Sequence, residues 1–321
     1  MNFQSGYIYM GKKCRIVGLL LIIFSAGSIC EGQYYSMNTQ YIHDPLRINP
    51  AYAGGNEALN LSLFYGKKWI GMDGSPETMV FSADAPLFKQ KFGLGLTLIS
   101  DNYEGKRENQ LGTNYAYRIL MPNSVLSFGV GAMLVRTKFA FRNLTNLDQG
   151  KDVGIKGSKT YSIPNVSFGI HYSFKDYFVG LSVPELLYHT FDQEKDQYVT
   201  KNDFSKYTYL LNSGYQFNVF SKIRLYPSVL LQYTTNDVSE QWQYDLNTML
   251  SYNDQFWLGG SYRNDRLFGA LLKINMSKQI SVAYSYNFEI GSLNKNSKES
   301  HELMLRYVFK YKVDAPNPLI F

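Results

Sequence analysis

Residues 165–174 read Asn-Val-Ser-Phe-Gly-Ile-His-Tyr-Ser-Phe, and their chemistry alternates at every step. Val166, Phe168, Ile170, Tyr172 and Phe174 fall on one side; Asn165, Ser167, Gly169, His171 and Ser173 fall on the other. A period of two is the pattern of a β-strand with one apolar and one polar face. Leu59, Leu61, Leu63 and Tyr65 repeat it around Asn60, Ser62 and Phe64. Trp242 to Tyr252 and Ile280 to Phe288 repeat it again. These runs are about 9–11 residues or a little more, the length a tilted strand needs to cross a hydrocarbon layer. Soluble strands are mostly nearer 5–6 residues. The expected fold is all-β: a transmembrane antiparallel up-and-down barrel of the outer-membrane type.

Composition agrees. The 321 residues include 27 Tyr, 21 Phe and 26 Gly, and aromatics make up 16%. Aromatic side chains suit a pleated surface. Mean hydropathy is slightly negative, which excludes a bundle of transmembrane helices and permits a barrel, where alternate residues face water. The net charge of +6 counts Lys12, Lys13 and Arg15 in a leader, so the remaining chain is only mildly basic. This is weak ground for an anionic partner, and nothing points to nucleic acid.

That leader is a basic stretch, an apolar run from Ile16 to Phe24 and a small-residue exit, the pattern of a secretory signal peptide over 1–32. The run is too short to span a bilayer as a helix. Cleavage after Gly32 would leave Gln33 first. Cys30 suggests lipidation instead, but Ile29 stands where that peptidase wants a small residue. Both cysteines, Cys14 and Cys30, belong to the leader, so the exported chain is expected to carry no disulfide and no thiolate metal site.

Alternation places about fourteen strands, an even number as single-chain barrels require. They are expected at 58–66, 77–84, 92–100, 109–119, 124–135, 162–174, 177–183, 206–217, 222–234, 240–252, 255–263, 266–276, 279–288 and 300–310. Connections sort by parity. Those after odd strands include the long segments 136–161 and 184–205, whereas those after even strands stay short. Short periplasmic turns facing longer outer loops would produce this sorting; only Asn264-Asp265 runs against it. Aromatics close many runs, as in the girdles at a membrane boundary. Pro227 is awkward within a strand and suggests a bulge or a register error. Residues 33–57 and 311–321 are expected outside the barrel (58–310), both on the periplasmic side.

Catalytic patterns are poor. His43, His171, His189 and His301 are dispersed without ligand spacing. No nucleophile elbow, phosphate loop or dinucleotide fingerprint occurs, so neither an enzyme nor a cofactor is expected. Gly93-Leu94-Gly95 and Gly129-Val130-Gly131 read as close packing or bends. Arg118, Arg224, Arg263, Lys273 and Arg306 share the lumen face with Asp245 and Glu302. They would line either an anion-favouring channel or a partly ion-paired, plugged interior. Ile48 to Gly55 is compact and turn-rich, fitting either a contact surface for a periplasmic partner or a lid on the barrel rim.

The stretch Gln40-Tyr41, Pro45 and Ile48-Asn49-Pro50-Ala51-Tyr52-Ala53-Gly54, followed by Trp69-Ile70-Gly71-Met72-Asp73-Gly74-Ser75-Pro76-Glu77-Thr78, resembles the PorP/SprF family of type IX secretion system membrane proteins. Phe92 to Leu96 with Asp101, and His301-Glu302-Leu303 with Tyr307 and Phe309, look similar too. Gly66-Lys67-Lys68-Trp69 departs from the aromatic-x-K/R-Q-W pattern more usual there. The resemblance implies a non-enzymatic outer-membrane protein in lipid, acting in secretion or gliding motility. Its implied partners are periplasmic ring or trans-envelope components and a large secreted adhesin with a C-terminal sorting domain. The partner-binding candidates are Asn49, Pro50, Tyr52 and Gly54 at the periplasmic entrance, and Trp69, Asp73, Gly74 and Pro76 in the first outer loop. Asn and Gly would set turns, Tyr and Trp would be rigid anchors, and Asp would accept backbone hydrogen bonds. A passive diffusion channel or small-solute transporter is the alternative.

Overall fold

The computed structural model describes residues 37–56, 58–88, 90–103, 105–141, 157–192, 194–195, 197–201, 203–235, 240–290 and 299–309. The expected signal peptide, its cleavage site and the C-terminal tail lie outside the described residues. The strands are β1 (Asn60–Lys67), β2 (Glu77–Leu87), β3 (Phe92–Tyr103), β4 (Lys106–Met121), β5 (Ser124–Phe141) and β6 (Gly157–Phe174). They continue as β7 (Tyr177–Val183), β8 (Tyr188–Asp192), β9 (Gln197–Lys201), β10 (Thr208–Tyr215), β11 (Phe217–Phe220) and β12 (Ile223–Thr235). The last are β13 (Glu240–Tyr252), β14 (Phe256–Arg263), β15 (Leu267–Asn275), β16 (Ile280–Glu289) and β17 (Ser300–Val308).

Fourteen of these close a barrel: β1–β7, β10 and β12–β17, all antiparallel, with β7 on β10, β10 on β12 and β17 back on β1. Closure pairs the fourteen strands with one another all the way round, which is how backbone amides at membrane depth are satisfied without water. Burial is inverted relative to a soluble protein. On β1 the buried positions are Asn60, Ser62, Phe64 and Gly66, while Leu63 is 56% exposed. On β13 Gln241, Gln243, Asp245, Asn247 and Ser251 are buried, while Trp242, Leu250 and Tyr252 are exposed. Soluble monomers rarely show such a continuous apolar band; lipid is the solvent that accepts it. Among the described residues no helix is long and apolar enough to cross a membrane; the strands do the crossing.

Each expected strand has its counterpart, and 177–183 and 240–252 match to the residue. Strands β4, β5 and β6 run several residues further than alternation suggested, β5 and β6 toward the longer connections and β4 by three residues at that end and two at the tight-turn end. One end of the barrel carries tight links such as 122–123 and 175–176, and the other carries 68–76 and 184–207. Asn253 and Asp254 both take positive φ (54° each), the backbone of a tight hairpin turn that matches strand twist. The segment 184–205, expected to be loop throughout, holds the hairpin β8–β9. Phe191 and Tyr198 of that hairpin clasp Tyr161 of β6 at ring distances of 5.5 and 5.2 Å.

Pro227 causes no bulge against β13, where it pairs in unbroken register with Thr248. The missing donor is accommodated on the other side. Pairing of β12 with β10 ends at Gly214↔Ser228 and resumes with β11 at Phe217↔Leu225.

Candidate functional site

Residues 37–55 do not lie outside the barrel. They fill its lumen as a plug, which corrects the expected placement at the periplasmic mouth. Three short 3-10 turns build it: Thr39–Ile42, Pro45–Arg47 and Pro50–Tyr52. Pro45 and Pro50 each open a turn, where a missing amide costs nothing. Asn49 caps the third, its Oδ1 accepting the Ala51 amide at 2.9 Å. Gly54, at φ +60°, redirects the chain toward β1.

Irregular backbone leaves polar groups that burial would make costly unless they are paired. The wall supplies partners. Glu302 accepts the Thr39 and Gln40 amides, both at 3.1 Å, and Asp84 accepts the Gly54 amide at 2.9 Å. Arg263 donates to Met37 O at 3.2 Å and Arg306 to His43 O at 3.3 Å. Arg118 donates to Ala53 O, and Ser182 Oγ to Ile48 O at 2.6 Å. Side chains add more: Asn247 to the Tyr41 hydroxyl at 2.7 Å, Asn212 to the Tyr52 hydroxyl at 2.9 Å, and Ser82 to Asp44 at 2.5 Å. Arg263 is itself held by a bidentate pair with Asp245, at 2.7 and 2.8 Å.

Apolar packing completes the seal. Met37, Tyr41, Ile42 and Ile48 of the plug cluster with Leu210, Tyr226, Leu230, Met249, Trp257 and Leu271 of the wall. Each such side chain contributes roughly 1.5–3 kcal/mol when fully buried. On the opposite side the plug backbone lies almost on the wall. A Cβ at Gly129 would collide with the Pro50–Ala51 backbone, and one at Gly93 with the Ala53 carbonyl. The glycine pairs at 93/95 and 129/131 thus include two points where the plug backbone lies against the wall. Three cavities against the plug are small, about 40, 20 and 80 Å3.

The 80 Å3 cavity lies at the long-connection end, where Met37–Thr39 meet Lys68, Trp69, Asp265, Glu289 and Glu302. The plug therefore begins at that end and finishes at the tight-turn end beside Asp84 and Arg118. Lys68 and Asp265 sit outside the spanning strands. Burial lowers the Lys68 ammonium below its usual range, with Arg263 adding to this while Glu302, Asp265 and Glu289 oppose it. Burial likewise raises the Asp265 carboxyl, against the pull of Arg263.

The eight candidates fall into two separate groups. Asn49, Pro50 and Tyr52 are buried in the lumen, with the Tyr52 ring tilted against His171 at 4.3 Å, and Gly54 is buried beside Ala85. None of these four offers a surface to a periplasmic partner. Trp69, Asp73, Gly74 and Pro76 do lie in the first long connection. Trp69, at φ 50°, donates from its indole to Glu289 at 3.5 Å. Asp73 and Gly74 are exposed. Sequence reading missed Thr39, Gln40 and Glu302 as a unit, because its carboxylate and its amides are more than 260 residues apart. Among the described residues no group of three or more His, Cys, Asp or Glu side chains could hold a metal ion.

Residues 31–307 match the family described as type IX secretion system membrane protein PorP/SprF. The chain belongs to the PorP/SprF family. It is thus an outer-membrane component of type IX secretion. Comparison with curated proteins found no match. Among solved structures this PorP/SprF barrel is similar to the Acinetobacter baumannii outer membrane protein Omp33, at TM-score 0.47 and 8% identity over 80% of this chain and 100% of that one. It is also similar to the Ralstonia pickettii toluene transporter TbuX, at 0.47 and 8% over 87% and 96%. A Pseudomonas aeruginosa FadL homologue gives 0.45 and 10% over 82% and 93%.

Proposed function

We propose that this PorP/SprF protein is a closed adaptor, with its barrel held in outer-membrane lipid and its long connections facing outward. Its work is to hold protein partners: a secreted adhesin-type protein with a C-terminal sorting domain at the long-connection face, and secretion-system components at the periplasmic face. The observation that carries this reading is the use of the lumen arginines. Arg118, Arg263 and Arg306 are three of the five cations that an anion channel would offer to solutes, yet each donates to a plug carbonyl. A lumen so occupied favours work done at the surface. The first long connection offers exposed Ile70 and Met72, and the hairpin side offers Phe191 and Phe204. Apolar side chains at a water-facing rim suit protein contact.

Affinity purification of the tagged protein from native envelopes in mild detergent, followed by mass spectrometry, tests this. Recovery of secretion-system components or of a large secreted protein is expected. Discrete conductance from the purified protein alone, with no co-purifying partner, would replace this reading with the diffusion-channel one.

A further inference from the structure

Three cations sit together on the outer surface of β4 and β5, just beyond the apolar band. Arg107 lies directly opposite Lys138, and Asn109 directly opposite Arg136. All four are exposed and share the side of the wall that carries Leu111 and Leu134, the next cross-strand pair. They therefore point away from the lumen. Like charges directly opposite on one face are destabilising unless something neutralises them. No carboxylate among the described residues pairs with any of the three. Glu77 is two strands from Arg107 on that face, separated by Asn102, which is roughly 10 Å at ordinary strand spacing.

Directly below the cations the wall is dented. A depression of about 440 Å3 is lined by Leu63, Met79, Leu98, Leu111 and Leu134, with Arg136 at its edge. An apolar trough in the lipid-facing band, crowned by cations with no carboxylate partner among the described residues, matches one ligand: an amphiphile with acyl chains below and phosphate above. Arginine binds phosphate through two parallel hydrogen bonds, and basic clusters at this depth select anionic headgroups.

We propose that Arg107, Arg136 and Lys138 form a binding site for a phosphorylated glycolipid of the outer leaflet, its phosphate on the three cations and an acyl chain in the Leu98–Leu111–Leu134 trough. This rests on the orientation given above, with the long connections outward. The site would explain why β4 and β5 continue past the apolar band, since the extra residues carry the cations.

The test uses the full-length exported protein in detergent and native mass spectrometry with bisphosphorylated lipid A. Wild type is expected to retain it, and the Arg107→Gln, Arg136→Gln, Lys138→Gln variant to retain at least tenfold less. Phosphatidylglycerol and 10-fold excess inorganic phosphate should not displace it. Heat-modifiable mobility on gels establishes that the variant is folded. Equal retention by the variant overturns the proposal, as does displacement by inorganic phosphate, which would mean a small-anion site, or by phosphatidylglycerol, which would mean general anionic contact. No secretion partner enters this assay, and the variant should capture such partners normally. Failure here is thereby distinguished from failure of the adaptor reading.

Discussion

Glu302 on β17 grips two successive plug amides, with Oε1 3.1 Å from Thr39 N and Oε2 3.1 Å from Gln40 N. The same carboxylate takes the Ser285 hydroxyl at 2.8 Å. Hydrogen bonds to a charged group are worth about 1.5–3 kcal/mol each. Glu302→Ala is expected to lower barrel stability by about 3 kcal/mol or more, and Glu302→Gln by roughly half of that, since the amide nitrogen cannot accept. Thermal unfolding in detergent, read by heat-modifiable mobility, measures the loss. A cysteine at position 39 should be labelled faster in both variants than in wild type.

Gly129 makes the complementary case, from sterics rather than charge. Its missing side chain is what lets the Pro50–Ala51 backbone rest on β5. Gly129→Val is expected to displace the plug while the barrel still folds, because the strand itself tolerates valine. Planar-bilayer recordings should then show ion conductance where the parent protein is expected to show none. A closed Gly129→Val barrel would mean that the wall yields instead.

Trp69 and Asn49 should behave differently in partner capture. Trp69 lies in the first long connection, hydrogen-bonded to Glu289 and Ser300. Trp69→Ala is expected to reduce recovery of a secreted partner about tenfold, some 1.4 kcal/mol, without changing barrel stability. Asn49 is enclosed, donating to Ile170 O at 3.0 Å. Asn49→Ala should lower stability by about 1 kcal/mol through the lost cap and leave capture intact. Pull-down yield set against unfolding temperature separates the two.

The apolar band can be tested one side chain at a time. Leu63 is at mid-strand on the lipid face of β1, and Ser62 beside it faces the plug. Leu63→Arg is expected to cost about 2–4 kcal/mol in reversible urea unfolding from vesicles, the penalty of a cation near the bilayer midplane. Leu63→Ile should be nearly silent.

The Leu63/Ser62 contrast also explains why so much of the barrel was readable. Each strand carries its own instruction, since apolar and polar residues one step apart must face lipid and lumen in turn. That rule governs most positions, apart from inward apolar residues such as Phe64, Met249 and Leu271, and it needs no distant partner. The extra residues of β4–β6 escaped it because beyond the lipid both faces meet water or protein, and alternation fades. The hairpin β8–β9 escaped for a related reason: Phe191 and Tyr198 are held by Tyr161, a contact made across another strand.

Of the plug, Asn49-Pro50-Ala51-Tyr52-Ala53-Gly54 was visible as a compact turn, and the glycine pairs as places of close packing. That these belong to one another was not. Alternation along the chain sufficed for fourteen strands, their facing and their closure, because a short-range period maps directly onto a membrane's two solvents. Where residues 37–55 come to rest depends on Glu302, Arg263, Arg306, Arg118 and Asp84, which come together only after the wall has closed. A segment without periodicity takes its position from hydrogen bonds to distant strands, and no local pattern encodes those.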